Sequence, residues 1–386
     1  MAIVSLFLLL SNCSDSSEYG KASDFEKYGA VASGTIKGSV LNSSGSVLSG
    51  VSVNYVLSGI TTAATATDST GDYSQSSIEA GPYTLYYSKS GYLDESQTAT
   101  LTGGQTIKVS TLKMLPDSCD STGDIEGKIT DAVDSSNISG AALTARRGLN
   151  TTSGTVTKTT NTASNGTYTL ADMPRGWYTI QIEKSGYIDG TFEVYSCGDK
   201  DNQNSSISES LSSGTMRIIL SWPLTSPQTG TDLDSHLTGP ASSGRFHVYY
   251  PDDNKIFYYS TGNHLCGSCS ASEINDNVTL DRDENPNATG APPGIETVTV
   301  RSVRSTGTYR YSVHDYSNNG LTNSDNMSKS GAYVRTYYNN GTSTISDIFN
   351  APNSVGNLWT VFTFTTSGGF SEIGTMSDQG QAANIQ

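Results

Sequence analysis

Five carboxylates in the C-terminal half of the chain have the type and spacing to hold a hard cation. Asp232 and Asp234 lie in Gly230-Thr231-Asp232-Leu233-Asp234-Ser235-His236-Leu237, and Asp281 and Asp283 lie in the segment 278–284. Two-residue spacing puts both members of a pair on one face of a strand. Glu296 follows a Gly- and Pro-rich loop. Like charges gathered at one sheet end repel unless a cation sits among them, and Ca²⁺ takes roughly six to eight oxygen ligands. A structural Ca²⁺ site of Asp232, Asp234, Asp281, Asp283 and Glu296 is therefore expected. The plainer alternative is solvated strand ends that cap turns through their own backbone amides.

Other chemistries find less support. Paired carboxylates can hydrolyse glycosides, but that needs an aromatic-lined cleft and one raised pKa, which a sequence does not display. No Gly-x-Ser-x-Gly elbow is followed by suitable triad partners. His236 reads better as a strand-end histidine bonded to a carboxylate than as a catalytic base. The four histidines, His236, His247, His264 and His314, lack a Glu three residues later, so no His-x-x-Glu zinc pair exists.

The elements that must position these residues are short strands. Val51-Ser52-Val53-Asn54-Tyr55-Val56 and Tyr178-Thr179-Ile180-Gln181-Ile182 alternate apolar and polar residues, as half-buried strands do. Turn residues punctuate them at 42–45, 68–71 and 164–166. The chain also repeats itself. Segments 69–73, 81–87 and 89–92 return at 164–168, 176–182 and 184–187, always 95 residues later. A repeat of this size is a tandem domain rather than a solenoid. The expected fold is all-β, three tandem β-sandwiches: residues 33–115, 116–212 and a larger unit at 213–372. Before them come a signal at 1–12 and a tether at 13–32, and after them a tail at 373–386.

Gly38-Ser39-Val40, Gly50-Val51-Ser52-Val53, Thr67 to Tyr73 and Pro82 to Tyr92 resemble the carboxypeptidase regulatory-like family, a transthyretin-like sandwich. The second copy resembles it with a slight departure, Thr162-Ala163 where Thr-Asp is usual. The resemblance implies an accessory or stalk sandwich without catalytic residues of its own. In the third unit the order Met216–Trp222, Asp232 to Pro240, Leu280 to Asp283, Gly294 to Val300 and Gly307 to Val313 resembles the YfaP-like bacterial domain. That family implies a sandwich without an assigned activity.

Ala2 to Leu10 is an apolar run of ~13 Å as a helix, far short of the ~30 Å hydrocarbon core. With Leu10-Ser11-Asn12-Cys13 it resembles a bacterial lipobox, which implies a lipid on Cys13 and an outer-membrane or cell-surface address. Cys119 opens the second repeat and Cys197 closes it, so a bridge there would staple a thin core in an oxidising compartment. Cys266 and Cys269 suit a loop-closing disulfide, with a redox pair or half a zinc site as alternatives.

The 386 residues carry 22 Lys+Arg against 37 Asp+Glu, a net charge of −15. That balance argues against nucleic acid and against adsorption to anionic lipid. Tyr outnumbers Phe 22 to 9. The clusters Tyr83, Tyr86, Tyr87, Tyr92 and Tyr249, Tyr250, Tyr258, Tyr259 invite stacking on sugars, although sandwich edges use Tyr routinely. The expected function is a non-enzymatic envelope or surface protein whose sandwich stalk presents the third domain to a protein or glycan. The alternatives are homotypic assembly into a filament or sheath through open sheet edges, and a glycan- or peptide-processing enzyme or accessory subunit.

Overall fold

The computed structural model describes residues 32–222, 232–241, 244–250, 256–258, 277–284 and 294–386. Cys13, Cys266, Cys269, Tyr259 and the expected signal and tether lie outside the described residues or at their margin, as does the side chain of Tyr258. The fold is all-β, 57% strand and 4% helix.

The first sandwich contains β1 (Ser33–Asn42), β2 (Ser52–Leu57), β3 (Ile60–Ala66), β4 (Asp72–Glu79), β5 (Gly81–Ser88), β6 (Glu95–Leu101), β7 (Thr106–Lys108) and β8 (Leu112–Met114). One sheet runs β4-β1-β7 with β8 also on β1; the other runs β3-β2-β5-β6. Alternation is obeyed: Val53, Tyr55, Tyr83, Leu85 and Tyr87 turn into the core. Of the four tyrosines of this copy, Tyr83 and Tyr87 are therefore buried and Tyr86 is exposed. Their hydroxyls need partners once buried: Tyr73 and Tyr87 share one at 2.6 Å, and Tyr87 donates to Gln97 Oε1 at 2.9 Å.

The second sandwich repeats the plan with β9 (Thr122–Asp131), β10 (Ala142–Arg147), β11 (Lys158–Asn161), β12 (Thr167–Pro174), β13 (Gly176–Glu183), β14 (Gly190–Ser196) and β15 (Ser205–Ile207). Its sheets are β12-β9-β15 and β11-β10-β13-β14. In each copy one buried threonine ties two segments together. Thr67 donates to Leu48 O and accepts from Val51 N–H; Thr162 does the same with Ile138 O and Ala141 N–H. Gly71 and Gly166 hold positive φ in equivalent turns, where a Cβ would meet a backbone oxygen at 2.7 Å. Cys119 and Cys197 are bridged, as expected, closing the ends of this thin core.

The two copies differ where it matters for their junction. β2 and β3 are joined by Ser58 and Gly59 alone, whereas β10 and β11 are joined by residues 148–157. The longer loop lies along the first sandwich as an added strand segment. Leu149 N–H donates to Ser96 O at 2.8 Å, and Leu149 O accepts from Thr98 N–H at 3.0 Å. This covers the edge of β6, which would otherwise offer unpaired backbone groups. Leu149 packs into the first core, and Trp177 Nε1–H donates to Lys113 O at 2.6 Å.

The third sandwich has β16 (Met216–Trp222), β17 (Leu233–Pro240), β18 (Arg245–Val248), β19 (Ile256–Tyr258), β20 (Asn277–Arg282), β21 (Gly294–Val300), β22 (Tyr309–Asp315), β23 (Tyr333–Asn339), β24 (Thr344–Asn350), β25 (Leu358–Thr365) and β26 (Gly369–Ser377), with one short helix, α1 (Asn326–Ser330). Six strands, β19-β20-β21-β16-β23-β24, face five, β18-β17-β22-β25-β26. Trp222, Trp359, Tyr309, Tyr311, Phe362 and Phe364 fill the space between. The expected boundary at residue 372 is corrected: β26 continues to Ser377 on β25, and Gln379 N–H donates to Asn357 Oδ1 at 2.7 Å, so residues 373–386 are part of this unit.

A small separate core of Ala132, Leu211, Ile219, Ile295 and Tyr337 joins the second and third sandwiches. Thr297 also donates to Ala132 O at 2.6 Å. The first sandwich touches the third as well, where Lys113 Nζ donates to Lys329 O at 3.2 Å. Among the described residues no helix is long and apolar enough to cross a membrane.

Glu95 is buried at the first junction, 3.5 Å from Arg147 Nη2 and 3.3 Å from Trp177 N–H. Burial pushes its carboxyl up to about 7, against the pull of Arg147. The folded state thus holds this proton more tightly than the unfolded chain. Its stabilising effect is complete below about pH 4.3 and is lost as pH rises towards 7. Thermal melts of wild type and Glu95→Gln from pH 4.5 to 8 should diverge, the wild type losing up to roughly 3 kcal/mol relative to the variant.

Candidate metal centre

The acidic residues meet at one corner of the third sandwich, at the end of β17 where, among the described residues, β18 does not accompany it. Its register with β18 begins only at Leu237, while β22 accompanies it from Leu233. The Ser235 N–H points to the open edge. Glu296, on β21 of the opposite sheet, supplies the missing acceptor: Ser235 N–H donates to its Oε2 at 2.5 Å. The Ser235 and Tyr311 hydroxyls share a hydrogen bond at 2.6 Å beneath it.

Strand parity places the remaining groups. Leu233 and Leu237 enter the core, so Asp234 and His236 take the opposite face of β17. Asp234 is paired across to His314 of β22. Asp283 arrives from the end of β20 through a bulge. Leu280 pairs with Val298, but the next pair is Arg282 with Thr297, so one residue is extra. An extra residue shifts the alternation by one position. Asp234, Asp283 and Glu296 offer ligand oxygens within 4.8 Å of one another.

The same bulge separates Asp281 from the set, which corrects the five-residue expectation. Its carboxylate accepts from Thr279 Oγ1 at 2.5 Å and from Thr299 Oγ1, beside Arg217. Alternation across an unbroken strand put both aspartates on one side, and the bulge cancels that rule. Asp232 stands just before β17, its N–H donating to Ser317 Oγ at 2.9 Å, and its carboxyl adds to the charge at the corner.

The electrostatics follow from burial. Glu296 is 1% exposed, and Asp232 and Asp234 are 5% exposed each. Burial, then Asp234 and Asp283, hold the Glu296 carboxyl well above the usual range. Burial first, then Asp232, Asp283 and Asp315, push Asp234 up. Asp232 is pushed up to about 6 by burial and by Asp283 and Asp315. Glu296 Oε1 and Asp234 Oδ2 are buried and have no hydrogen-bond partner among the described residues. Two charges ~4 Å apart repel by about 4 kcal/mol at an effective dielectric near 20. A divalent cation among these oxygens would satisfy them and reverse the repulsion.

Two residues of the corner escape sequence reasoning. His314 and Asp315 end β22, and only the register of β22 on β17 brings them here. Asp315 is a neighbour rather than a ligand, since Asn318 donates to both of its oxygens, at 3.2 and 2.8 Å. His236 Nδ1 lies 2.9 Å from His247 Nε2. Tyr249 stacks on His236 at 5.1 Å, so this tyrosine is committed to the protein's own rings.

The family model of the carboxypeptidase regulatory-like domain matches residues 35–114 and 124–207, which fall in the first and second sandwiches. No curated protein matches the chain. Among solved structures, the Bacillus anthracis TIE protein is 14% identical over 73% of this chain and 45% of its own, at a TM-score of 0.20. A streptococcal ancillary pilin is 14% identical over 46% of this chain and 63% of its own, at 0.19. The shaft pilin SpaA of Lactobacillus rhamnosus GG is 11% identical over 47% and 98%, at 0.19. Likenesses this slight assign neither partner nor activity.

Asp281→Ala removes the acceptor of two threonine hydroxyls and a charge partner of Arg217. Denaturant unfolding should show a loss of roughly 1–3 kcal/mol. The variant should respond to added divalent cations as the wild type does, because Asp281 stands outside the cluster.

Proposed function

We propose that the protein is a non-enzymatic component of the cell envelope or cell surface. A lipid on Cys13 holds it at the outer membrane or surface, and two regulatory-like sandwiches support the third, which meets a protein or glycan partner. The observation that carries this reading is the junction at Leu149. The second copy spends its extra loop on backbone hydrogen bonds to β6 of the first, and the small core around Ile219 and Tyr337 fixes the third unit to the second. Such joints suit a rigid mount. The Cys119–Cys197 bridge supports an oxidising, extracytoplasmic compartment.

Within the mount, we read the corner of Asp234, Asp283 and Glu296, with Asp232 beside them, as a structural Ca²⁺ site that ties the two sheets together. The buried, unpartnered oxygens of Asp234 and Glu296 support it.

Labelled palmitate should enter the wild type and be absent from Cys13→Ala. A glycan and matrix-protein array probed with the chain starting at Ser14 should retain a partner without turnover. Release of cleaved glycan or peptide would overturn the non-enzymatic reading. The melting temperature should rise with millimolar Ca²⁺ and fall with chelator, by mass action on the folded state. Asp234→Asn and Glu296→Gln should each remove that dependence. Identical wild-type melts in calcium and chelator would end the calcium reading.

A further inference from the structure

Asp234 belongs to a second cluster as well. It shares β17's outer face with His236, two residues on, and faces His314 across the β17–β22 ladder. The ligand atoms of these three side chains lie within 4.8 Å of one another. All three are nearly inaccessible, with exposures of 5%, 1% and 0%. This face is roofed by protein: Gln379 from the C-terminal segment lies on His314, and Tyr249 and His247 lie on His236.

The partners of His314 fix its chemistry. Its Nε2 stands 3.2 Å from Gln379 O, and a carbonyl only accepts, so Nε2 carries the hydrogen. In the neutral ring Nδ1 then presents a lone pair. That Nδ1 is buried and has no hydrogen-bond partner among the described residues, and neither has Asp234 Oδ2. A metal-binding imidazole is held in this way, with the far nitrogen donating to a carbonyl or carboxylate that sets tautomer and ring orientation. His236 is likewise oriented by His247 and by the ring of Tyr249.

Two imidazoles and one carboxylate are the donor set of a borderline transition cation, whereas Ca²⁺ takes oxygen ligands. We propose that Asp234, His236 and His314 bind a divalent cation of the zinc class on the outer face of the five-stranded sheet. This position is separate from the oxygen-only set of Asp283 and Glu296 and shares Asp234 with it. It does not require that the oxygen set be filled.

The test uses the full chain from Ser14 with Cys119–Cys197 intact and with Cys266 and Cys269 changed to Ser, so that no free thiolate can bind metal. Co²⁺ alone should give visible absorption bands of nitrogen-ligated cobalt, bleached by one equivalent of Zn²⁺ and unchanged by excess Ca²⁺. His314→Ala and His236→Gln should weaken Zn²⁺ binding by roughly 100-fold or more. Asp283→Asn should retain the cobalt bands while losing any response to Ca²⁺. Imidazole ¹⁵N resonances of the otherwise wild-type chain should shift for two histidines on adding Zn²⁺, which reads the site even if a histidine variant fails to fold. No cobalt bands, bands identical in His314→Ala, or unmoved imidazole resonances would each overturn the proposal. None of those results would bear on the calcium melts, so the two metal readings fail separately.

Discussion

Carboxylates buried within a few ångströms of each other must share protons, hold a cation or push apart, and the corner of the third sandwich sets this condition for the whole unit. Glu296 and Asp234 come from different sheets and are both shut away from water. Repulsion of several kcal/mol per close pair rivals a domain's entire stability of ~5–15 kcal/mol. The sandwich is therefore arranged around the means of tolerating this charge. Glu296 spends one oxygen on the Ser235 N–H, the group that an incomplete β17–β18 pairing leaves over. Asp315 is hydrogen-bonded locally by Asn318. Glu296 and Asp234 each keep one oxygen uncommitted.

The other two sandwiches carry no comparable strain. The Thr67 and Thr162 clamps satisfy equivalent buried groups in the same way in both copies, and the copies differ at the joint. The loop 148–157 turns an accessory module into a clasp on its neighbour, at the expense of a free β6 edge. Glu95 is a costly group there, held between Arg147 and Trp177 N–H. The covered β6 edge and the small core shared by the second and third sandwiches tie the three units together.

Much of this architecture was legible in the sequence because it depends on local rules. The 95-residue offset holds for the equivalent strands β4 and β12, β5 and β13, and β6 and β14. Alternation located β2 and β13, and the cysteine placement located the bridge. The candidate site was only half legible. Asp232, Asp234, Asp283 and Glu296 were recognisable as like charges in ordered motifs, but the parity rule failed at Asp281 because a bulge has no clear signature in residue type. His314 was invisible for a different reason. Its place beside Asp234 is fixed by strand register, a long-range property that one sequence does not state. The contribution of Gln379 was hidden in the same way, since a polar terminal stretch reads as a tail until something buries it.

The most direct test of the central claim is an anomalous difference map from crystals of the chain soaked in Mn²⁺, a cation with a strong anomalous signal that accepts both oxygen and imidazole ligands. The account predicts a peak at the β17–β21 corner within coordination distance of Asp234. Its first neighbours should be Asp283 and Glu296, or His236 and His314. A featureless map at that corner, with the Asp234 and Glu296 carboxylates turned apart into ordered water, would contradict it.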